Sequence, residues 1–344
     1  MDKKRILIFA VVFAILCLLI YLQVRTWRNF DWHVFWSRTD HVNPLGLLAG
    51  LAFTYLAYLL RAVRWRIFLK PVCKTTTARL LAPQFIGFAA LALLGRAGEM
   101  IRPYIIAKKE RLTFTSQIAV WGVERIFDMG AFAIMLALSL LSPDLASMHF
   151  YHQLREFAFL LLILVALLVV GAMIVRRSGD RVARFLHDRF AGFAPRLAHH
   201  LRDKVHSFSA GLETIHDLGS AIQLVIVSIA MWLLIAFSYY SITHAYGGQL
   251  ALLTMPQQIV LMGSSMVGSM LQLPAVGGGQ QVAAIAMLHS GFGIEQELAV
   301  SCGMLIWAIT FMSVIPTGLL LARREHLSIR AVAEAEEREA ALAR

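Results

Sequence analysis

Glu124, Arg125 and Asp128 fall within five residues of one another in a run, Thr115–Leu141, otherwise apolar and long enough to cross a bilayer. A charge held at the centre of a spanning helix costs about 2.5–3.5 kcal/mol on insertion scales. A chain that keeps three such charges must pair them, hydrate them or use them. Position 124 is tenth in the run, so a rise of about 1.5 Å per residue puts it roughly 14 Å deep, near the midplane. Glu124 and Asp128 share a helix face at i and i+4, and Arg125 reaches Asp128 at i, i+3. Two chemistries fit this spacing: an ion-pair cluster that locks neighbouring helices, or a polar lining for something that enters the membrane.

The elements that position these residues are membrane spans. Of 344 residues, 58% are hydrophobic, and the mean hydropathy of +0.67 lies well above that of soluble domains. Met1–Arg5 is basic and precedes the apolar Ile6–Val24. That run is long for a signal peptide and Gln23–Trp27 offers no small-residue cleavage site, so it reads as a retained first helix. Cys17, Cys73 and Cys302 are too few and too scattered for a disulfide framework or a metal site, and no cofactor is expected. No G-x-S-x-G, H-E-x-x-H or P-loop signature occurs, which argues against a hydrolase, a zinc enzyme and direct use of ATP. The histidines, among them His199, His200 and His289, lack metal-ligand partners at useful spacing.

The formal net charge of +11 is distributed in blocks, which argues for a membrane protein rather than a nucleic-acid binder. Arg61, Arg64, Arg66, Lys70, Lys74 and Arg79 are expected to fill one loop; a second holds Arg176, Arg177, Arg181, Arg184, Arg189, Arg196, Arg202 and Lys204. With basic loops inside, the spans are Ile6–Val24, Pro44–Leu60, Thr115–Leu141, Phe157–Val175, Ala221–Ala245 and Leu298–Ala322. Both termini are then cytoplasmic, in a bacterial-type inner membrane, and Trp27, Trp32 and Trp36 sit at the outer interface.

Two further apolar stretches are broken in their middles. Ala78–Ala107 is interrupted by Gly95-Arg96-Ala97-Gly98-Glu99, and Pro256–His289 by Pro274-Ala275-Val276-Gly277-Gly278-Gly279. Both read as re-entrant hairpins with irregular backbone at membrane depth, which survives only where protein or a water-filled cavity covers it; the competing reading counts eight short spans. Leu94, Gly98, Ile118, Ala119 and Val120 correspond to Pro274, Gly278, Leu298, Ala299 and Val300, at a constant offset of 180. Three spans separate the copies, so the second would be inverted, as in many secondary transporters. Met304, Leu305 and Ala308 replace the charges of the first copy, which makes any polar site asymmetric. The expected fold is an all-α polytopic membrane protein of six full spans and two broken hairpins. It forms one domain over residues 1–325, with an amphipathic cytoplasmic connector at 176–220 and a short charged tail at 326–344.

Three motifs together resemble the lysylphosphatidylglycerol synthase transmembrane family: Arg61-Ala62-Val63-Arg64-Trp65; Gly95-Arg96-Ala97-Gly98-Glu99 with Arg102; and Val123-Glu124-Arg125-Ile126-Phe127-Asp128. The resemblance covers roughly residues 5–325. It implies a flippase-type lipid handler, moving phospholipid, aminoacyl-lipid or polyprenyl-linked lipid between leaflets. Only residues 326–344 follow the last span, so a stand-alone member without the aminoacyltransferase domain is expected. A role as partner of a glycosyltransferase or lipid-modifying enzyme is the alternative. Leu94 replaces the family's usual Pro, and Gln280 and Gln281 stand where many members carry an acid.

Crossing hydrocarbon requires a path for the polar head. Arg96, Arg102 and Arg125 are candidates for a lipid phosphate, because guanidinium offers a planar fork of donors. Glu99, Glu124 and Asp128 would hold those arginines or meet a cationic headgroup. Gly95, Gly98, Gly277, Gly278 and Gly279 would let half-helix ends approach the headgroup, with Gln280 and Gln281 beside them, or would serve close helix packing.

Overall fold

The computed structural model describes residues 32–40, 42–191, 218–273 and 277–325. The span expected at Ile6–Val24, Cys17, His199 and His200, Pro274 to Val276, residues 192–217 of the connector and the tail lie outside the described residues.

The architecture is all-α. Helices α1 (Trp32–Thr39), α2 (Pro44–Leu69) and α3 (Thr77–Leu94) lead to a 3-10 turn at Gly95–Met100, followed by α4 (Ile101–Glu110) and α5 (Phe114–Ser139). Then come α6 (Tyr151–Ala191), α7 (Leu218–Ala245), α8 (Met255–Gly268) and α9 (Gly279–Ala286). The last is α10 (Gln296–Trp307), which passes through a π turn at Ala308–Met312 into α11 (Val314–Arg324). The caps follow from sequence. Asn43 accepts from the Leu45 amide with Pro44 at the first position of α2. Thr76 and Thr113 cap α3 and α5, and Thr254 with Gln257 forms a capping box on α8.

Five described helices are long and apolar enough to cross a membrane: Pro44–Leu69, Thr77–Leu94, Tyr151–Gly171, Gly219–Ala245 and Gln296–Arg324. The chain is a multi-pass membrane protein. α5 matches α2 at 26 residues, but Glu124, Arg125 and Asp128 interrupt its apolar run. Two expected boundaries are corrected. α2 does not end at Leu60; it continues to Leu69 and carries Arg61 and Arg64 as buried helical residues rather than loop residues. α6 does not end at Val175; it runs unbroken for 41 residues, about 60 Å at 1.5 Å per residue and twice a hydrocarbon core. Its apolar half leaves Leu160, Leu164 and Leu167 exposed, the face that lipid covers.

Both broken stretches fold back as hairpins. Gly87 on α3 packs so tightly on Arg102 of α4 that a Cβ there would overlap it. At the open end, Arg79 pairs with Glu110 at 3.3 Å, and Thr75 donates to the same carboxylate at 3.0 Å. In the second hairpin Gly268 of α8 packs on Gly279 and Ala283 of α9. There a two-residue antiparallel ladder pairs Gln272 with Gly278 and Leu273 with Gly277. The hairpins open toward opposite ends of the bundle. The first opens beside the loop that follows α2. The second opens where α2 begins: Asn43 donates to the Ala245 carbonyl at 2.8 Å, and Gln258 of α8 reaches Thr243 at 2.7 Å. Their turns meet, because Arg96 Nη2 donates to the Ser269 carbonyl at 3.5 Å.

Candidate functional site

Five helices contribute to one buried charge network. Glu124, on α5, accepts from Arg64 Nη2 of α2 at 2.5 Å and from both terminal nitrogens of Arg102 of α4, at 3.1 and 2.5 Å. Asp128 Oδ1, one turn along α5, accepts from Arg64 Nη1 at 2.6 Å and from the Trp232 indole of α7 at 3.2 Å. Arg64 Nη1 also reaches Ser228 Oγ at 3.1 Å, and Arg102 Nη1 reaches Gln84 Oε1 at 3.1 Å. Two arginines thus fork across two carboxylates away from solvent, with short charge-assisted bonds offsetting the desolvation of all four.

A cavity of about 520 Å³ opens in front of this network, between α2, α5, α7 and the two hairpin turns. Its charged wall is formed by Arg61, Arg96, Glu99, Arg125 and Asp128. Arg96 pairs with Glu99 at 3.2 Å, and Arg125 Nη2 lies 3.1 Å from Asp128 Oδ2 and 3.5 Å from Glu124 Oε2. Arg125 keeps 40% of its side chain exposed to the cavity. Arg61 is different. It is 8% exposed, its guanidinium lies 4.6 Å from the Phe88 ring centre and 6.0 Å from that of Tyr58, and no carboxylate among the described residues lies within ion-pair distance. Counted together, Arg61, Arg64, Arg96, Arg102 and Arg125 face Glu99, Glu124 and Asp128, an excess of two positive charges in a membrane-spanning region.

The far wall is neutral. Thr54 precedes Arg61 by seven residues on α2, and Tyr239 follows Trp232 by seven on α7. Two helical turns place both about 10 Å from the charged level, toward the Asn43 end. Ser265, Gln280 and Thr310 surround the Tyr239 hydroxyl. At the rim, Phe157, Val267 and Met270 are exposed apolar residues, so the mouth faces sideways into lipid rather than along the bundle axis.

The expected site residues therefore separate. Arg96, Glu99, Arg125, Asp128 and Gln280 line the cavity. Arg102 and Glu124 stand behind it as the supporting ion pair. Gly95 supplies a left-handed φ of 66° at the first turn, and Gly98 sits against the Ala90 backbone with no room for a Cβ. Gly277 and Gly278 form the ladder, and Gly279 opens α9 against Gly268. Gln281 is not among the lining residues, and its Oε1 is buried with no hydrogen-bond partner among the described residues. Sequence reasoning missed Arg61, Arg64, Trp232 and Tyr239 as site residues. The available signal was the R-x-x-R-W spacing, which puts both arginines on one face of a helix that continues past Leu60.

Comparison with known proteins places this geometry in a family. Residues 6–318 match the family model described as the lysylphosphatidylglycerol synthase TM region. A UPF0104 membrane protein of Methanothermobacter thermautotrophicus is 21% identical over 293 residues, covering 80% of this chain and 84% of the relative. No solved structure matches. The chain belongs to the lysylphosphatidylglycerol synthase TM region family.

Proposed function

Starting from that membership, we propose that the cavity receives the phosphate of an anionic lipid at Arg61, Arg96 and Arg125, and that the protein moves this lipid between leaflets. The observation that carries the reading is Arg61, a nine-tenths buried cation turned to the cavity and held by ring faces instead of a carboxylate. A buried charge with no carboxylate in contact is costly, and an incoming phosphate supplies a contacting anion. The apolar side mouth suits acyl chains that stay in the bilayer while the head enters. The junction of two oppositely opening hairpins is where broken-helix transporters hold substrate. Transport fits better than catalysis here, because Arg64 and Arg102 hold Glu124 and Asp128 and leave neither as a ready acid or base. Orientation follows from charge: Lys70, Lys74, Arg79, Lys108, Lys109, Arg323 and Arg324 cluster at the end where the first hairpin opens. The described loops 140–150, 246–254 and 292–295 at the other end hold no Lys or Arg. The basic end is assigned to the cytoplasm.

The test is leaflet exchange of fluorescent phosphatidylglycerol in proteoliposomes, with inorganic phosphate as a soluble competitor. Wild type should accelerate exchange over protein-free vesicles, and Arg61→Ala and Arg125→Ala should abolish the acceleration while remaining folded. Arg125→Ala should fold because Arg64 and Arg102 still neutralise both acids. No acceleration by wild type, or wild-type exchange by both variants, overturns the reading. Competition by millimolar phosphate would point to a soluble anion as the ligand instead of a lipid.

A further inference from the structure

The neutral wall of the cavity bears on the rest of the headgroup. Among the lining residues every carboxylate already has an arginine: Glu99 has Arg96, and Asp128 has Arg64 and Arg125. A cationic amino or aminoacyl group would enter a cavity with excess positive charge and find no free anion. About two turns away stands a set of neutral hydrogen-bonding groups. Ser265 donates its proton to the Leu261 carbonyl at 3.1 Å and Thr310 to the Ile306 carbonyl at 2.7 Å, which turns both hydroxyl oxygens into acceptors. The Tyr239 hydroxyl lies between them in hydrogen-bond reach of Ser265, Gln280 and Thr310, and the Gln280 amide adds donors and an acceptor, so a headgroup hydroxyl would exchange into this set. Mixed donors and acceptors without charge match a hydroxyl-bearing group, since each hydroxyl both donates and accepts.

We infer that the lipid carries, beyond its phosphate, a neutral polyhydroxyl headgroup such as glycerol or a sugar, read by Tyr239, Ser265, Gln280 and Thr310. The inference rests on the anionic-lipid reading above and specifies its substrate class.

The experiment compares binding of phosphatidylglycerol, phosphatidic acid and lysyl-phosphatidylglycerol to the purified full chain in mixed micelles, for wild type, Tyr239→Phe and Gln280→Ala. Two or three additional neutral hydrogen bonds correspond to a preference of about 10-fold or more for phosphatidylglycerol over phosphatidic acid. Each variant should erode that preference, with a larger loss of phosphatidylglycerol binding than of phosphatidic acid binding. Lysyl-phosphatidylglycerol should bind more weakly than phosphatidylglycerol. Equal binding of phosphatidic acid and phosphatidylglycerol, a preference that both variants retain, or tighter binding of the lysyl lipid overturns the inference while sparing the phosphate site. Failure of all three lipids to bind removes the anionic-lipid reading and this inference with it.

Discussion

Two arginines three residues apart on α2 should respond to mutation in opposite ways. Arg64 is fully buried and bridges Glu124 at 2.5 Å and Asp128 at 2.6 Å. Arg64→Met keeps much of the side-chain volume but leaves Asp128 with Arg125 and the Trp232 indole, and Glu124 mainly with Arg102. Breaking a buried pair from one side costs about 3–5 kcal/mol, and here Glu124 and Asp128 each lose a short bond while Arg102 and Arg125 remain as partial compensation. At about 2–4 °C per kcal/mol, the expected fall in Tm is roughly 6–20 °C. Arg61→Ala removes no ion pair. Its loss is the ring contact with Phe88, about 0.5–2 kcal/mol, partly offset because a desolvated cation is also removed. The Tm should move by no more than a few degrees. In binding the order reverses. Losing a charge-assisted hydrogen bond to phosphate costs about 1.5–3 kcal/mol, or roughly 10- to 150-fold in affinity.

The assay follows thermal unfolding of both purified variants in one detergent by intrinsic tryptophan fluorescence, with lipid binding measured on the same preparations. The division of labour predicts a large Tm drop for Arg64→Met and a large affinity drop at near-native Tm for Arg61→Ala. Equal Tm losses in the two variants would refute it, since Arg61 would then be as structural as Arg64. So would undiminished lipid binding by a folded Arg61→Ala.

The remaining predictions concern the turns and the loops. Gly98→Ala should destabilise the protein by about 1–3 kcal/mol, because its Cβ would overlap the Ala90 backbone. Gly130→Ala, which meets Val165 at an ordinary 3.5 Å, should be neutral or slightly stabilising on the same melting assay. In a Cys17→Ala background, a membrane-impermeant maleimide added from the cytoplasmic side should label Cys73, whereas the buried Cys302 stays unmodified. Burial and then the neighbouring Glu110 raise the Cys73 thiol above its usual range, so its thiolate is scarce at neutral pH. Labelling, read by mass shift, should be slow near pH 7 and keep accelerating as pH rises past the point where a free thiol's rate levels off; labelling from the opposite side only would invert the proposed orientation.

The hairpins were legible because their breaks are local: Gly95, Gly98 and the Gly277–Gly279 run interrupt apolar stretches too long to be loops. The charged triad was legible for the same reason, since each of Glu124, Arg125 and Asp128 stands out against its own neighbours. What sequence alone obscured is pairing at a distance. Viewed along one helix, Arg125 is the natural counter-ion of both acids, and its removal would leave Glu124 and Asp128 to repel one another until one took up a proton. In the fold the principal counter-ions are Arg64, sixty residues before Glu124, and Arg102, on the returning arm of a hairpin. The same distance effect hid the end of α2. Arginines after an apolar run ordinarily mark its exit into water, yet Arg64 stays inside because two carboxylates from another helix meet it there, and Arg61 stays because the faces of Phe88 and Tyr58 do. With Arg64 and Arg102 as the principal counter-ions of the acids, Arg125 is a secondary partner of Asp128, and Arg61 contacts ring faces instead. In the reading proposed above, the charge that a one-helix view assigns to holding the fold together is the one that meets a ligand.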